Sequence, residues 1–355
     1  MRAVVVHGAK DVRVEEREPK APGPQEVQVR IAYGGICGSD LHYYHEGKVG
    51  SFVVREPLVI GHEVVGRVVL DGRVASDADH ALVSGTPVTI HPASPGHALA
   101  GIEHRPNIWP ETRYLGSAAT WPHTQGAMSD LFTARADQIR VLPEGLPLER
   151  GVLAEPLGVA LHAIRRAGGV AGRRVLVSGA GSVGLLAAGA CVALGAAEVN
   201  ITDVLAEPLT RARALGVNHA LQMGVDEVPN QAFDIVLECA GAAPALSQAI
   251  KSVVRGGVVV QIGMLPGEPR AVSLAELVVR EIDLRGSFRF DDEIDQAVEL
   301  LTRVPIFGLV VTHVFDADDA VAAFDCASDS RASSKVVLRL DDSLPAAFRP
   351  TLDAP

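Results

Sequence analysis

At 355 residues the chain is long for one domain, and two domains are expected. Hydrophobic residues make up 48%, enough for large cores, and the 21% that are charged are not clustered, which argues against a disordered chain. The net charge of −11 disfavours a nucleic-acid partner, whose phosphates it would repel.

The first 150 residues read as β-rich. Short β-branched runs at 4–6, 12–15, 27–31, 64–70, 87–90 and 139–141 lie between Gly, Pro and Asp punctuation and suit a small barrel-like domain. The apolar start at Met1 is a strand and not a signal peptide. Near Gly151 the character changes. Strands are predicted at 173–178, 199–202, 233–237 and 258–262, with helices at 182–194, 206–215 and 245–254. This alternation implies a parallel, doubly wound sheet. The apolar run 185–194 is too short to span a membrane. A helix at 293–303 and a strand at 335–340 follow, either extending that sheet or folding back onto the first domain. A Pro- and Ala-rich tail begins at Asp341. The four cysteines, Cys37, Cys191, Cys239 and Cys326, show no close pairing, which fits a reducing cytoplasm.

Gly179-Ala180-Gly181-Ser182-Val183-Gly184 fits G-x-G-x-x-G after a predicted strand and at the opening of a helix, the context that a dinucleotide-binding turn needs. Gly179 permits the turn, Gly181 lets the backbone approach a pyrophosphate, and Gly184 lets helix pack on strand. Asp203 ends the second strand, where a carboxylate can accept both ribose hydroxyls of NAD and would repel the 2′-phosphate of NADP. Glu207 adds negative charge, and Arg211 is the nearest base, so NAD is the expected cofactor.

Cys37, His62 and Glu63 offer a thiolate, an imidazole and a carboxylate at the ends of two predicted strands. That set suits a tetrahedral zinc with one position open for substrate. Glu155, at the junction of the two predicted domains, is a further candidate ligand. Each residue alone has an ordinary structural reading; jointly, beside a nucleotide fold, they favour a metal. Zinc as Lewis acid lowers the pKa of an alcohol, and the alkoxide gives up hydride readily. Ser39 and His42 would carry the released proton by way of the cofactor ribose to solvent.

The run from Gly35 to Tyr44, its continuation to Phe52, Leu115-Gly116-Ser117-Ala118, Pro122-His123 and 285–290 resemble the zinc-dependent medium-chain dehydrogenase/reductase superfamily over nearly the whole chain. They resemble its polyol, sorbitol dehydrogenase-like branch, and within it the L-idonate 5-dehydrogenases. The resemblance implies a GroES-like catalytic domain over 1–150, with 287–341 returning to it. It implies a Rossmann nucleotide-binding domain over 151–286 and a tail at 342–355. It implies one catalytic zinc on Cys37 and His62, with Glu63 and Glu155 as interchangeable third ligands. Tyr43, Glu155 and Arg289 would touch substrate. Val183, Asp203, Gly263, Met264, Phe288 and Arg289 would line the nucleotide site. Relatives form dimers or tetramers, and a strand near Met264–Leu265 would pair across a two-fold.

Relatives carry a second, structural zinc lobe of four cysteines, whose positions fall at or near Pro95, Ala98, Gly101 and Trp109. The stretch 92–110 has no cysteine, so the lobe is expected to fold without metal, through its prolines and the packing of Ile108 and Trp109. The expected substrate is L-idonate, oxidised to 5-keto-D-gluconate, with Arg289, Lys48 and the more distant Arg113 as bases for its carboxylate. His123 would line the pocket or support its loop. The alternatives are a sorbitol or xylitol dehydrogenase and, in another class, a zinc-free reductase or a non-catalytic nucleotide-binding protein.

Overall fold

The computed structural model describes residues 1–69, 82–265 and 267–344. The chain divides into two compact units, Met1–Glu155 with Val311–Asp329 and the segment from Lys335, and Pro156–Val310 with Ser330–Ser334.

In the first unit, alternating β-branched residues build a sheet in the order Ile139–Val141, Pro87–Ile90, Glu63–Val68, Glu26–Gly35, Lys335–Arg339, Val311–Asp316, and Leu131–Arg135 also pairs with Glu26–Gly35. A three-stranded sheet is ordered Asp11–Glu16, Arg2–Gly8, Leu58–Val59. Val4, Val29, Ile31, Ile60, Val88 and Ile90 are fully buried in the common core, together with Phe324 and Val336 from the C-terminal part. The predicted strands appear at their expected places. Residue 70 of the 64–70 run, and 345–355 of the expected tail, lie outside the described residues.

The second unit is a six-stranded parallel sheet. Its order is His219–Gln222, Glu198–Asp203, Arg174–Ser178, Phe233–Glu238, Val253–Gln261, Asp283–Gly286. Counted along the chain this is 3-2-1-4-5-6, so the strand order reverses next to Arg174–Ser178, the edge where such sheets bind dinucleotides. Helices Ser182–Ala193, Ala206–Ala214 and Ala243–Ser252 follow the first, second and fourth strands. Among the described residues no helix is long and apolar enough to cross a membrane. The strand expected near Met264–Leu265 is not present: the fifth strand ends at Gln261, and Met264 lies beyond it, exposed.

One expected boundary is corrected. The segment 287–310 stays with the nucleotide unit and does not return to the first domain; the return begins at Val311. The reason lies in helix Glu293–Arg303. Its Ile294, Ala297, Leu300 and Leu301 are buried, and Glu293, itself buried, accepts from His162 Nδ1 at 2.7 Å and lies 2.7 Å from Arg165 Nη2. Both partners belong to helix Ala154–Ala167. Burial raises the Glu293 carboxyl, but hydrogen bonds from His162 and the Asp291 backbone outweigh it and hold the group below its usual range.

Glu293→Ala should therefore destabilise the protein by about 3 kcal/mol at neutral pH, since it strands a buried partner. A depressed carboxylate contributes stability above its unfolded pKa and loses it as pH falls through the folded value. The gap between parent and variant in thermal unfolding should thus close below the ordinary glutamate range. A gap that stays constant well below that range would refute the assignment.

Candidate metal centre and nucleotide site

Strand Glu26–Gly35 ends two residues before helix Gly38–Glu46, and Cys37 is the N-cap of that helix. The Cys37 backbone N–H donates to Asp40 Oδ2 at 2.9 Å, with Asp40 at the third helical position and fully buried. The helix N-terminus places partial positive charge beside the sulfur. The sequence reading missed both helix and Asp40, because Gly38-Ser39-Asp40 looks like a turn. The available signal was the carboxylate three residues after the cap.

His62 and Glu63 stand at the start of strand Glu63–Val68. Gly61 has φ +94°, a conformation that turns the chain into the strand at no steric cost for glycine. Gly35 lies opposite Glu63 in the ladder, and a Cβ there would come within 2.2 Å of Glu63 Oε2. Glycine at 35 therefore makes room for the carboxylate. One ligand atom from each of Cys37, His62 and Glu63 lies within 4.8 Å of the others. His62 Nδ1 is buried without a hydrogen-bond partner, whereas Glu63 Oε2 has the Lys335 ammonium 2.7 Å away. An unsatisfied buried imidazole nitrogen beside a thiol and a carboxylate suits a zinc ion.

The other expected carboxylate is placed differently. Glu155, in the first turn of helix Ala154–Ala167, is buried and accepts from Tyr114 Oη at 2.5 Å. It is not in the three-residue group. Burial raises its carboxyl to about 7, with Glu63 adding to the rise and His62 and Tyr114 opposing it. Burial disfavours charge on His62, but Cys37 and Asp40 hold its imidazole up to about 10. Lys335, only 1% exposed, donates to Glu63 Oε1 at 2.7 Å and to the Ile36 carbonyl at 3.0 Å. Burial works against its charge, while Glu63 and Cys37 keep the ammonium protonated. Neither Lys335 nor Tyr114 stood out in the sequence.

Ser39 is half-buried in the first turn of helix Gly38–Glu46, and His42 is exposed, with Nδ1 3.1 Å from Glu46. Tyr43 is buried, and its hydroxyl accepts from the Ala118 N–H at 2.9 Å. Buried His123 accepts from the Arg55 N–H through Nε2 at 2.9 Å, and its Nδ1 contacts the Thr120 carbonyl. It supports the loop and also lines a cavity of about 130 Å³ with Arg55, Phe52 and Trp121. The stretch 92–110 is tied by backbone turns, by Trp109 Nε1 donating to the Ile102 carbonyl at 2.9 Å, and by Thr112 Oγ1 donating to the Pro106 carbonyl at 3.1 Å. His97 is exposed and pairs with Glu111 at 3.2 Å.

In the second unit, a Cβ at Gly184 would lie 1.9 Å from the Gly179 carbonyl, so helix and turn pack too closely for any side chain. A Cβ at Gly181 would meet nothing within 4 Å, so this side of the backbone is open to a phosphate. Asp203 accepts from the Ala180 N–H at 2.7 Å and the Leu205 N–H at 2.9 Å, fixing the carboxylate beside the glycine turn. Val183 lies in the first turn of helix Ser182–Ala193. The Gly263 N–H donates to the Glu238 carbonyl at 2.9 Å. Arg289 has φ +53°, and its guanidinium lies 4.7 Å from the Phe288 ring centroid. Arg211, the expected nearest base, is buried and donates to the carbonyls of Arg331, Ala332 and Ser333, which takes it away from the role of phosphate partner.

Comparison with known proteins agrees with this geometry. Residues 23–144 match the alcohol dehydrogenase GroES-like domain, and 182–303 the zinc-binding dehydrogenase domain. Bovine sorbitol dehydrogenase (Bos taurus) is 34% identical over 352 residues, 96% of each chain. The L-idonate 5-dehydrogenase (NAD(P)(+)) of Escherichia coli K12 is 35% identical over 344 residues, 95% of this chain and 98% of that one. A crystal structure of L-idonate 5-dehydrogenase from Escherichia coli K-12 superposes with a TM-score of 0.88, covering 95% of this chain and 97% of the other at 34% identity. With its GroES-like domain, nucleotide-binding sheet and thiol–imidazole–carboxylate group, the chain belongs to the zinc-dependent medium-chain dehydrogenases, in their sorbitol dehydrogenase-like branch.

Proposed function

We propose that the protein oxidises a secondary alcohol of a sugar acid with NAD, and that the substrate is L-idonate, converted to 5-keto-D-gluconate. The observation that carries the reaction class is the group Cys37, His62 and Glu63, whose ligand atoms lie within 4.8 Å of one another. When bound there, zinc supplies the Lewis acidity that lowers the alcohol pKa, and NAD supplies the hydride acceptor.

The chain's own residues do the rest. Cys37, His62 and Glu63 hold the metal. Burial raises the Glu155 carboxyl to about 7 although Tyr114 donates to it, so it can hold or release a proton near neutrality, and it serves as the alternate third ligand. Ser39 takes up the proton leaving the alcohol, and exposed His42, one turn further along the helix, passes it to water. Tyr43 holds the Ala118 backbone and thereby the loop on the substrate side. Arg289 is the base proposed for the substrate carboxylate, with Lys48 as the other candidate. Preference for NAD follows from Asp203, seconded by Glu207, and from the engagement of Arg211 elsewhere. Neutral polyols are the second reading, favoured by the sorbitol dehydrogenase relatives.

Initial rates on L-idonate, sorbitol, xylitol and L-threonine, each with NAD and NADP, test the substrate. L-Idonate with NAD should give the highest kcat/KM; rapid sorbitol turnover beside negligible L-idonate oxidation would sink the choice. Metal analysis of purified protein should find one zinc per chain; zero would remove the mechanism, and two would contradict a metal-free lobe. Cys37→Ala should abolish turnover while NADH binding, followed by fluorescence, persists. Because His62 titrates near 10 without metal, zinc must displace its proton throughout the neutral range. Zinc affinity by chelator competition should therefore rise about tenfold or more per pH unit between roughly pH 6 and 9. A flat profile would contradict His62 as a ligand.

A further inference from the structure

The guanidinium of Arg211 is 7% exposed and reaches three consecutive backbone carbonyls, those of Arg331 at 3.0 Å, Ala332 at 2.8 Å and Ser333 at 3.3 Å. Arg211 lies on helix Ala206–Ala214, just after the strand that ends in Asp203. On the same helix, Glu207 pairs with Arg331 at 3.1 Å. Residues Ser330–Ser334 accordingly pack with the nucleotide unit, although Val311–Asp329 before them and the chain from Lys335 after them pack with the metal unit. The chain crosses into one unit and back within a few residues. The residue that follows this strap is Lys335, whose Nζ sits on Glu63.

A buried guanidinium costs several kcal/mol unless its donors are met. An ordinary surface connection meets its carbonyls with water and needs no such partner. We propose that Arg211 is a positioning residue for the metal centre. By gripping 331–333 it fixes the backbone at Lys335, hence the seat of the ammonium on Glu63, and so couples the helix after the ribose-binding strand to the metal shell. The strap has little slack, because each residue spans at most about 3.6 Å. A shift of the helix is therefore passed to Lys335 and not absorbed. Linkage then requires nucleotide and zinc to change each other's affinity. The inference rests on the proposed place of Glu63 in the zinc shell.

The test uses the full-length zinc-loaded protein and follows zinc release into excess chelator, with and without NADH. In the parent, NADH should slow release. Arg211→Leu should release zinc about tenfold faster and lose most of the NADH effect. Arg331→Ala, an exposed change that does not endanger folding, should shift both readings the same way by about two- to threefold. If Arg211→Leu does not fold, Arg331→Ala together with two glycines inserted between Ser333 and Ser334 decides the matter. Parental release rates, or an undiminished NADH effect, in the folded strap variants would overturn the coupling. Glu63→Gln serves as the control. Parental zinc release from it would remove Glu63 from the shell, and the coupling with it; faster release from Glu63→Gln beside parental strap variants would overturn the coupling alone.

Discussion

The first unit is organised around one buried ion pair, Lys335 with Glu63. Both side chains are almost wholly excluded from water, 2% and 1% exposed. Such a pair persists only where the remaining donors and acceptors are met, because desolvating two charges outweighs a bare Coulomb attraction. Here the Ile36 carbonyl takes a second proton of the ammonium. The surroundings are acidic: Cys37, Asp40, Glu63 and Glu155 gather about His62. One fixed ammonium offsets part of that negative charge and leaves the rest to attract a divalent cation. The pair thus keeps the ligand set assembled without neutralising it.

Its placement depends on two strands meeting correctly. Lys335 opens strand Lys335–Arg339, which pairs with Glu26–Gly35, and Glu63 opens the strand on the other side of Glu26–Gly35. The same central strand ends just before the Cys37 helix cap. Three segments far apart in the chain are brought together by one strand, and Gly35 at its end leaves space for the carboxylate between them.

Much of this was legible in the sequence. The glycine turn, Asp203, the helices and strands of the nucleotide unit and most first-unit strands follow local rules of periodicity, punctuation and turn chemistry. Cys37, His62 and Glu63 were legible because thiol, imidazole and carboxylate are few and stand beside glycines at strand ends. What escaped depends on long-range contact. Lys335 reads as the polar start of an apolar strand, and only a partner 272 positions away gives it meaning. Tyr114 reaches Glu155 across 41 positions, and Arg211 finds its carbonyls about 120 positions on. The 287–310 boundary failed for the same reason, since it is set by Glu293 meeting His162. Asp40 is the exception: its signal was local, but a Gly-Ser-Asp triplet reads equally as a turn.

Synthesis runs from the N-terminal side to the C-terminal side, so the central strand, Cys37, His62 and Glu63 emerge long before Lys335. Until that lysine arrives, Glu63 has no buried counter-charge, and the ladder of Glu26–Gly35 has an open edge where Lys335–Arg339 will lie. The Lys335–Glu63 contact beside the metal centre can therefore form only after the nucleotide sheet has been made. An ion captured earlier would meet a looser carboxylate than the one the finished fold presents.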